Sequence, residues 1–250
     1  MARKKTRLDL LVVERGLAPS RERARALILA GQVHVDGAPV AKAGTPVPDD
    51  AEVTLAAPDH PYVGRGGVKL AAALDAFGID PAGRRALDIG ASTGGFTDVL
   101  LRRGAASVVA LDVGHGQLDW RLRNDARVIV REGVNARALS AADLPYRPDL
   151  VTIDVSFISL RHILPALPPV VAEGADIVAL VKPQFEAGRD EVGRHGIVAD
   201  PAVREAAVAR VTEAAAAAGL TRSGMAPSAL TGATGNQEYF LHLTYLPDPT

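Results

Sequence analysis

Lysine is scarce in this 250-residue sequence: five lysines stand against 23 arginines, and after Lys42 only Lys69 and Lys182 remain. Arginine serves nearly everywhere a plain positive charge is wanted, so these two positions invite a role that arginine cannot fill. A lysine can release its proton at accessible pH, whereas a guanidinium effectively cannot. Lys182 closes the apolar run ADIVALVK, and three aspartates close runs of the same kind: Asp88 in RRALDIG, Asp112 in SVVALDV and Asp154 in DLVTIDV. In an open α/β sheet, ligands bind outside the carboxyl ends of the strands. Four polar groups at corresponding strand ends therefore read as one site.

The first strand-to-helix crossing, Asp88-Ile89-Gly90-Ala91-Ser92-Thr93-Gly94-Gly95-Phe96, is rich in glycine. Glycines let backbone approach a ligand closely and turn sharply into a helix. The dinucleotide fingerprint G-x-G-x-x-G is not met, because Ser92 stands at the second glycine position. That disfavours a pyrophosphate-bearing cofactor, and with it a nicotinamide-dependent oxidoreductase. Asp88, Gly90, Ser92 and Gly94 are the candidate cofactor contacts of this turn. Asp112, at the next strand end, is placed to accept hydrogen bonds from ribose hydroxyls.

Composition narrows the alternatives. Apolar residues make up 48% and charged residues 23%, enough for a sizeable core. There is no cysteine, so thiolate metal sites and thiol nucleophiles are excluded. The six histidines, at 34, 60, 115, 162, 195 and 242, include no pair four residues apart, and no metal site is expected. No apolar run reaches the roughly 18 residues of a membrane span. The start, MARKKTRLDL, has basic residues without an apolar stretch behind them. A soluble, cytoplasmic protein is expected. Nine of the 28 Lys and Arg residues fall within the first 45 positions, leaving an acidic remainder. A basic head on an acidic body points to a polyanion as partner.

The elements that must position these groups follow from pattern. Residues 6–15 and 20–30 read as two short helices, the first closed by Gly16 and the second capped by Ser20. QVHVDGAPV alternates around an Asp36-Gly37 turn, and AEVTLA supplies another strand. Arg21, Arg23 and Arg25 share the second helix, Arg3, Lys4, Lys5 and Arg7 precede the first, and Lys42 follows the turn. These are the candidate contacts to a polyanion, since guanidinium groups clamp phosphates. Beyond a proline-containing linker, RRALDIG, SVVALDV, ARVIV, DLVTIDV and ADIVALV alternate with the helical GGVKLAAALDAFG, GFTDVLLRRG, SLRHILPAL and PAVREAAVARVTEAAAAAG. The alternation predicts an α/β fold with a mostly parallel sheet. QEYFLHLTYL, entered through Gly235-Asn236, is expected as an antiparallel edge strand with Tyr239, Leu241, Leu243 and Tyr245 on one face.

Residues 6–56, with Gly31-Gln32-Val33-His34-Val35-Asp36-Gly37 at their centre, resemble the RNA-binding module of ribosomal protein S-four. That resemblance implies recognition of structured RNA by shape and phosphate. The glycine turn resembles the S-adenosylmethionine loop of class I methyltransferases, especially FtsJ-like RNA 2′-O-methyltransferases. That family carries a Lys-Asp-Lys-Glu tetrad, matched in order and context by Lys69 in GRGGVKL, Asp154 in TIDVSF, Lys182 in LVKPQFE and Glu238 in NQEYF. From YVGRGGVKLAAAL through DVGHGQL and KPQFEAG to GNQEYF, the chain is similar to the TlyA family of rRNA methyltransferases, some of whose members are called hemolysins.

The resemblance implies residues 1–58 as a small α+β RNA-binding domain of the S-four type, 59–63 as linker and 64–250 as a Rossmann-like class I methyltransferase domain with one antiparallel strand. It implies S-adenosyl-L-methionine as cofactor, ribosomal RNA or ribosomal subunits as partner, and a cytidine ribose 2′-hydroxyl as acceptor. The tetrad would be catalytic, with Lys182 as base or as hydroxyl-orienting group. Asn135 and Arg137 follow the third strand, where the family's adenosine pocket lies, and Phe157 is expected either to stack on cofactor or base or to be a core aromatic. Residues 186–200 read as a lid or an exposed loop. No obligate protein partner is evident. A membrane-active hemolysin without catalysis would need an amphipathic or spanning segment, and none is visible.

Overall fold

The computed structural model describes residues 4–18, 20–29, 31–55 and 60–246, with backbone alone at Arg189. The chain divides into two compact units, Met1–Pro61 and Tyr62–Thr250.

In the first unit, β1 (Lys5–Arg7) leads into α1 (Leu8–Glu14) and α2 (Arg21–Leu29), followed by β2 (Val33–Val35), β3 (Ala38–Pro39), β4 (Pro46–Pro48) and β5 (Val53–Leu55). The first helix starts later than its sequence suggests, because Lys5–Arg7 pairs antiparallel with Pro46–Pro48. Leu8, Leu11 and Val12 recur at helical spacing and meet Ala24 and Ile28 of α2 in a core that includes Val33, Val47 and Val53. Ser20 Oγ accepts from Arg23 N–H at 3.2 Å, capping α2. β2 pairs with β3 across Asp36-Gly37 and with β5 on its other side.

The second unit contains α3 (Gly66–Phe77), β6 (Arg85–Ile89), α4 (Gly95–Arg102), β7 (Ser107–Asp112), α5 (Trp120–Arg123), β8 (Val128–Glu132), β9 (Leu150–Ile153), β10 (Asp176–Val181), α6 (Pro183–Glu186), α7 (Pro201–Ala217), β11 (Leu220–Pro227) and β12 (Tyr239–Tyr245). They form a seven-stranded sheet in the order β11-β12-β10-β9-β6-β7-β8. The last five of that order run parallel; β12 is antiparallel to β10, and β11 to β12. Strand side chains alternate between two cores. Leu87, Ile89, Val151, Ile153 and Ile177 pack with Val208, Val211 and Ala215 of α7. Ala86, Leu150, Val178 and Leu180 pack with Leu70 and Leu74 of α3 and with Phe96 and Leu100 of α4. Helices thus cover both faces, as a parallel sheet requires.

Three expectations need correction. SLRHILPAL forms two 3₁₀ turns, Leu160–His162 and Leu164–Ala166, instead of an α-helix; Pro165 brings no backbone N–H to a longer one. The final strand is antiparallel but internal: β12 lies between β10 and β11, although Tyr239, Leu241, Leu243 and Tyr245 do share a core face. The edge is β11, whose LTRSGMAP is mostly exposed and offers little apolar alternation to read. The strand expected at ARVIV sits later and ends at Glu132. Among the described residues, no helix is long and apolar enough to cross a membrane.

Candidate active site

The chemistry gathers where the parallel strands end. Asp154 follows β9, and its N–H donates to Ile89 O of β6 at 2.9 Å, setting it beside Gly90. Gly90 has φ +82°, and a Cβ there would overlap the Asp154 carbonyl, so only glycine fits. Lys182 follows β10. The register that pairs Val181 with Tyr239 places Lys182 across from Glu238 one step on. Lys182 Nζ lies 2.6 Å from Asp154 Oδ1 and donates to Ser156 Oγ at 2.9 Å. Lys69, near the start of α3, donates to Glu238 Oε2 at 2.5 Å, and that carboxylate is buried. The four residues matched to the tetrad therefore form two lysine–carboxylate pairs.

A cleft of about 190 Å³ borders the first pair, walled by Gly64 and Gly66, by the turn from Gly90 to Thr93, and by Asp154, Ser156 and Lys182. A smaller hollow adjoins it through Ser92, between Asp112, Gly114, Gln117 and Glu132 and the apolar Ala110, Leu118 and Val130. Asp112 accepts from Ser92 N–H at 2.8 Å through Oδ2 and from Gly114 N–H at 2.7 Å through Oδ1. Those bonds hold Ser92 at φ 48°, unusual for a side chain-bearing residue. Glu132 closes β8 and accepts from Arg123 and from Gly116 N–H; the Arg123 guanidinium, then the Gly116 amide, lower its carboxyl below the ordinary range.

Gly90, Ser92 and Asp112 thus line these hollows, whereas the other candidate cofactor residues lie elsewhere. β6 continues to Ile89, so Asp88 turns away from the cleft and into the layer beneath α4. It is fully buried and accepts from Thr97 Oγ1 at 2.7 Å and Thr152 Oγ1 at 2.9 Å. Burial raises its carboxyl to about 6 against the pull of both hydroxyls. Gly94 begins α4 at φ +97°, where a Cβ would strike Leu122 and Leu118, so its glycine serves packing. Asn135 Oδ1 accepts from Arg137 N–H at 3.1 Å and caps a 3₁₀ turn. Phe157 is exposed, has φ 64°, and meets the Phe185 ring at 5.4 Å.

Sequence reasoning passed over Ser156, Gln117, Glu132 and the glycines Gly64 and Gly66. The pattern GRGG before Lys69 was a signal for the last two. The strand-end rule reaches Glu132 once β8 is extended. Residues 186–200 are tied down: Arg210 bonds Glu191 at 2.8 Å, and the buried Asn236 accepts from Val198 N–H at 2.8 Å and donates to Gly196 O at 2.7 Å.

In the first unit, three of the candidate RNA contacts converge. Arg7 Nε and Nη2 each donate to Asp9 at 3.0 Å, Arg21 Nε at 2.9 Å and Arg25 Nε at 3.2 Å. Asp9 is completely buried beneath them. Lys4 pairs with Asp49 at 3.3 Å. Lys5, Arg23 and Lys42 are exposed. Arg3 lies outside the described residues.

Residues 62–245 match the model of the FtsJ-like methyltransferases, and residues 6–53 match the S4 domain. The chain is 52% identical to the 16S/23S rRNA (cytidine-2′-O)-methyltransferase TlyA of Mycobacterium tuberculosis, over 97% of this chain and 91% of that one. It is 40% identical to Hemolysin A of Brachyspira hyodysenteriae, over 94% and 98%. A solved structure from Streptococcus thermophilus with a hemolysin designation superposes with a TM-score of 0.77 at 42% identity, over 99% of this chain and 91% of that one.

Proposed function

The chain belongs to the TlyA family of FtsJ-like methyltransferases, and from that premise we propose that it methylates the ribose 2′-hydroxyl of an rRNA cytidine with S-adenosylmethionine as donor. The observation that carries the reading is the Lys182–Asp154 pair on the wall of a glycine-lined cleft, with the Lys69–Glu238 pair at the adjoining strand end.

The residues fit such a donor, a nucleoside joined through a sulfonium to an amino acid. Asp112 and Glu132 stand beside apolar walls at the small hollow adjoining the cleft, where their carboxylates can accept from ribose hydroxyls, and glycine backbone lines the path from there to Lys182. When bound, the donor supplies an electrophilic methyl group. What remains for the protein is to hold the accepting oxygen in line and to manage its proton. Lys182 is the group placed for both tasks. Asp154 fixes its nitrogen, while Glu238 fixes Lys69 as a second cation at the same sheet end. The basic unit, with Arg7, Arg21 and Arg25 arrayed on Asp9, grips RNA phosphates.

Incubation with labelled S-adenosylmethionine and separate ribosomal subunits, followed by mapping of 2′-O-methyl groups, tests the reading and assigns the subunit. Calorimetry expects binding of S-adenosylmethionine and none of NAD. Absence of transfer to either subunit, or a preference for NAD, defeats it.

A further inference from the structure

Ser156 has no part in the reaction as described, yet its hydroxyl lines the cleft beside Asp154 and Lys182 and accepts from Lys182 Nζ at 2.9 Å. A primary amine has three directions besides its bond to Cε. Ser156 takes one of them, Asp154 Oδ1 lies 2.6 Å from the nitrogen, and a direction is left for a substrate. The carboxylate alone orients the amine poorly. Its Oδ1 is buried but receives no aligned hydrogen bond, so the ion pair sets where the nitrogen lies and not how it is rotated. The serine hydroxyl supplies the directional contact, since hydrogen bonds weaken steeply off axis.

The serine is itself held. Its neighbour Phe157 has φ 64°, a conformation that a bulky residue keeps only where its surroundings enforce it. Glu186 of α6 provides that enforcement, accepting from Ser159 Oγ at 2.5 Å and from Leu160 N–H at 2.8 Å. Phe185 of the same helix meets the Phe157 ring. α6 begins directly after Lys182, so one short helix anchors both the lysine's strand end and the serine's loop.

Resting on the reading of Lys182 as the residue that receives the 2′-hydroxyl, we infer that Ser156 is a positioning residue that sets the rotation of the Lys182 amine toward that hydroxyl. The test compares S156A and S156T with K182A in the full chain, on ribosomal subunits with labelled donor. S156A is expected to lower kcat about tenfold, the effect of one hydrogen bond, with KM for RNA, donor affinity and melting temperature unchanged. S156T, which keeps the hydroxyl, is expected to restore most of the loss. Full turnover in S156A, an S156T no better than S156A, or a parallel fall in donor affinity overturns the inference. Methylation by K182A instead overturns the reading beneath it, and the two failures are distinguishable.

Discussion

Asp9→Asn is the change for which two views of the basic face disagree in sign. If the face works through charge alone, deleting a carboxylate among three arginines raises the positive charge and tightens RNA binding. If the carboxylate is the frame that arrays the guanidiniums, its loss loosens both the unit and the grip. The structure favours the frame: Asp9 is fully buried and accepts four hydrogen bonds from Arg7, Arg21 and Arg25. A hydrogen bond to a charged group nets about 1.5–3 kcal/mol. The arginine side chains are 46%, 46% and 51% exposed, so they recover water when released and return part of that sum. A loss of about 2–4 kcal/mol is expected for the variant.

Bonding to Arg7, reinforced by Arg21 and Arg25, holds the Asp9 carboxyl well below the usual carboxylate range. A carboxyl lowered in this way contributes stability that is complete above its unfolded value near 4 and is lost as pH falls through the folded one. Hydrogen exchange over residues 5–55 of the full chain should therefore show the variant less protected at pH 7, with the gap narrowing below pH about 4. Binding to an rRNA fragment should weaken. Equal protection at pH 7, or tighter RNA binding, refutes the reasoning.

Lys182→Arg is expected to abolish methylation while S-adenosylmethionine binding survives, since a guanidinium keeps charge but cannot accept a proton; calorimetry beside a transfer assay decides it, and normal turnover ends the proton-transfer role. Asp88 is raised to about 6 chiefly by burial, so its favourable contribution is complete below about pH 4 and lost as pH rises through 6. Relative to Asp88→Asn, the parent should lose about 3 kcal/mol between pH 4 and pH 7 in urea unfolding, and parallel profiles would contradict this. Gly90→Ala forces a Cβ into the Asp154 carbonyl at a positive φ and should cost about 2 kcal/mol or more, with lost turnover; a variant with normal melting and activity counts against the close approach of the two strand ends.

Much of the fold is legible because parallel strands buried on both faces read as continuous apolar runs. ALDI, VVALD, LVTI and DIVALV are such runs, and each is a strand of the sheet. What escapes reading is held by contacts the sequence does not display. β11 is a strand because β12 pairs with it, and its own residues are largely exposed. Within the site, a single position separates a ligand-facing group from a buried one. Leu87 and Ile89 face the α7 core, so period-two alternation sends Asp88 to the opposite layer, against Thr97 and Thr152. Asp154 and Lys182 stand just past their strands and so reach the cleft. Reading Asp88 as the last residue of its strand placed it in the wrong group, because an aspartate that ends an apolar run looks the same on either side of the boundary.

The pairing inside the site bears on how it acts. Lys182 with Asp154 and Lys69 with Glu238 add up to no net charge. A neutral cluster exerts little long-range pull on a polyanion, so the proposed reading assigns the attraction of RNA to Arg7, Arg21 and Arg25, whose summed positive charge Asp9 offsets only in part. What the cluster offers a hydroxyl group is direction. Lys182 is held by Asp154 and Ser156, and Lys69 by Glu238, so on the proposed reading a substrate oxygen would meet amines whose places are already set. Transfer of a methyl group that is already electrophilic asks mainly for alignment and for somewhere to put a proton, and the proposed reading assigns both to Lys182. On the proposed reading, arginine at position 182 would keep the charge balance and lose the proton acceptor, which gives a physical reason for lysine there in a chain that otherwise prefers arginine.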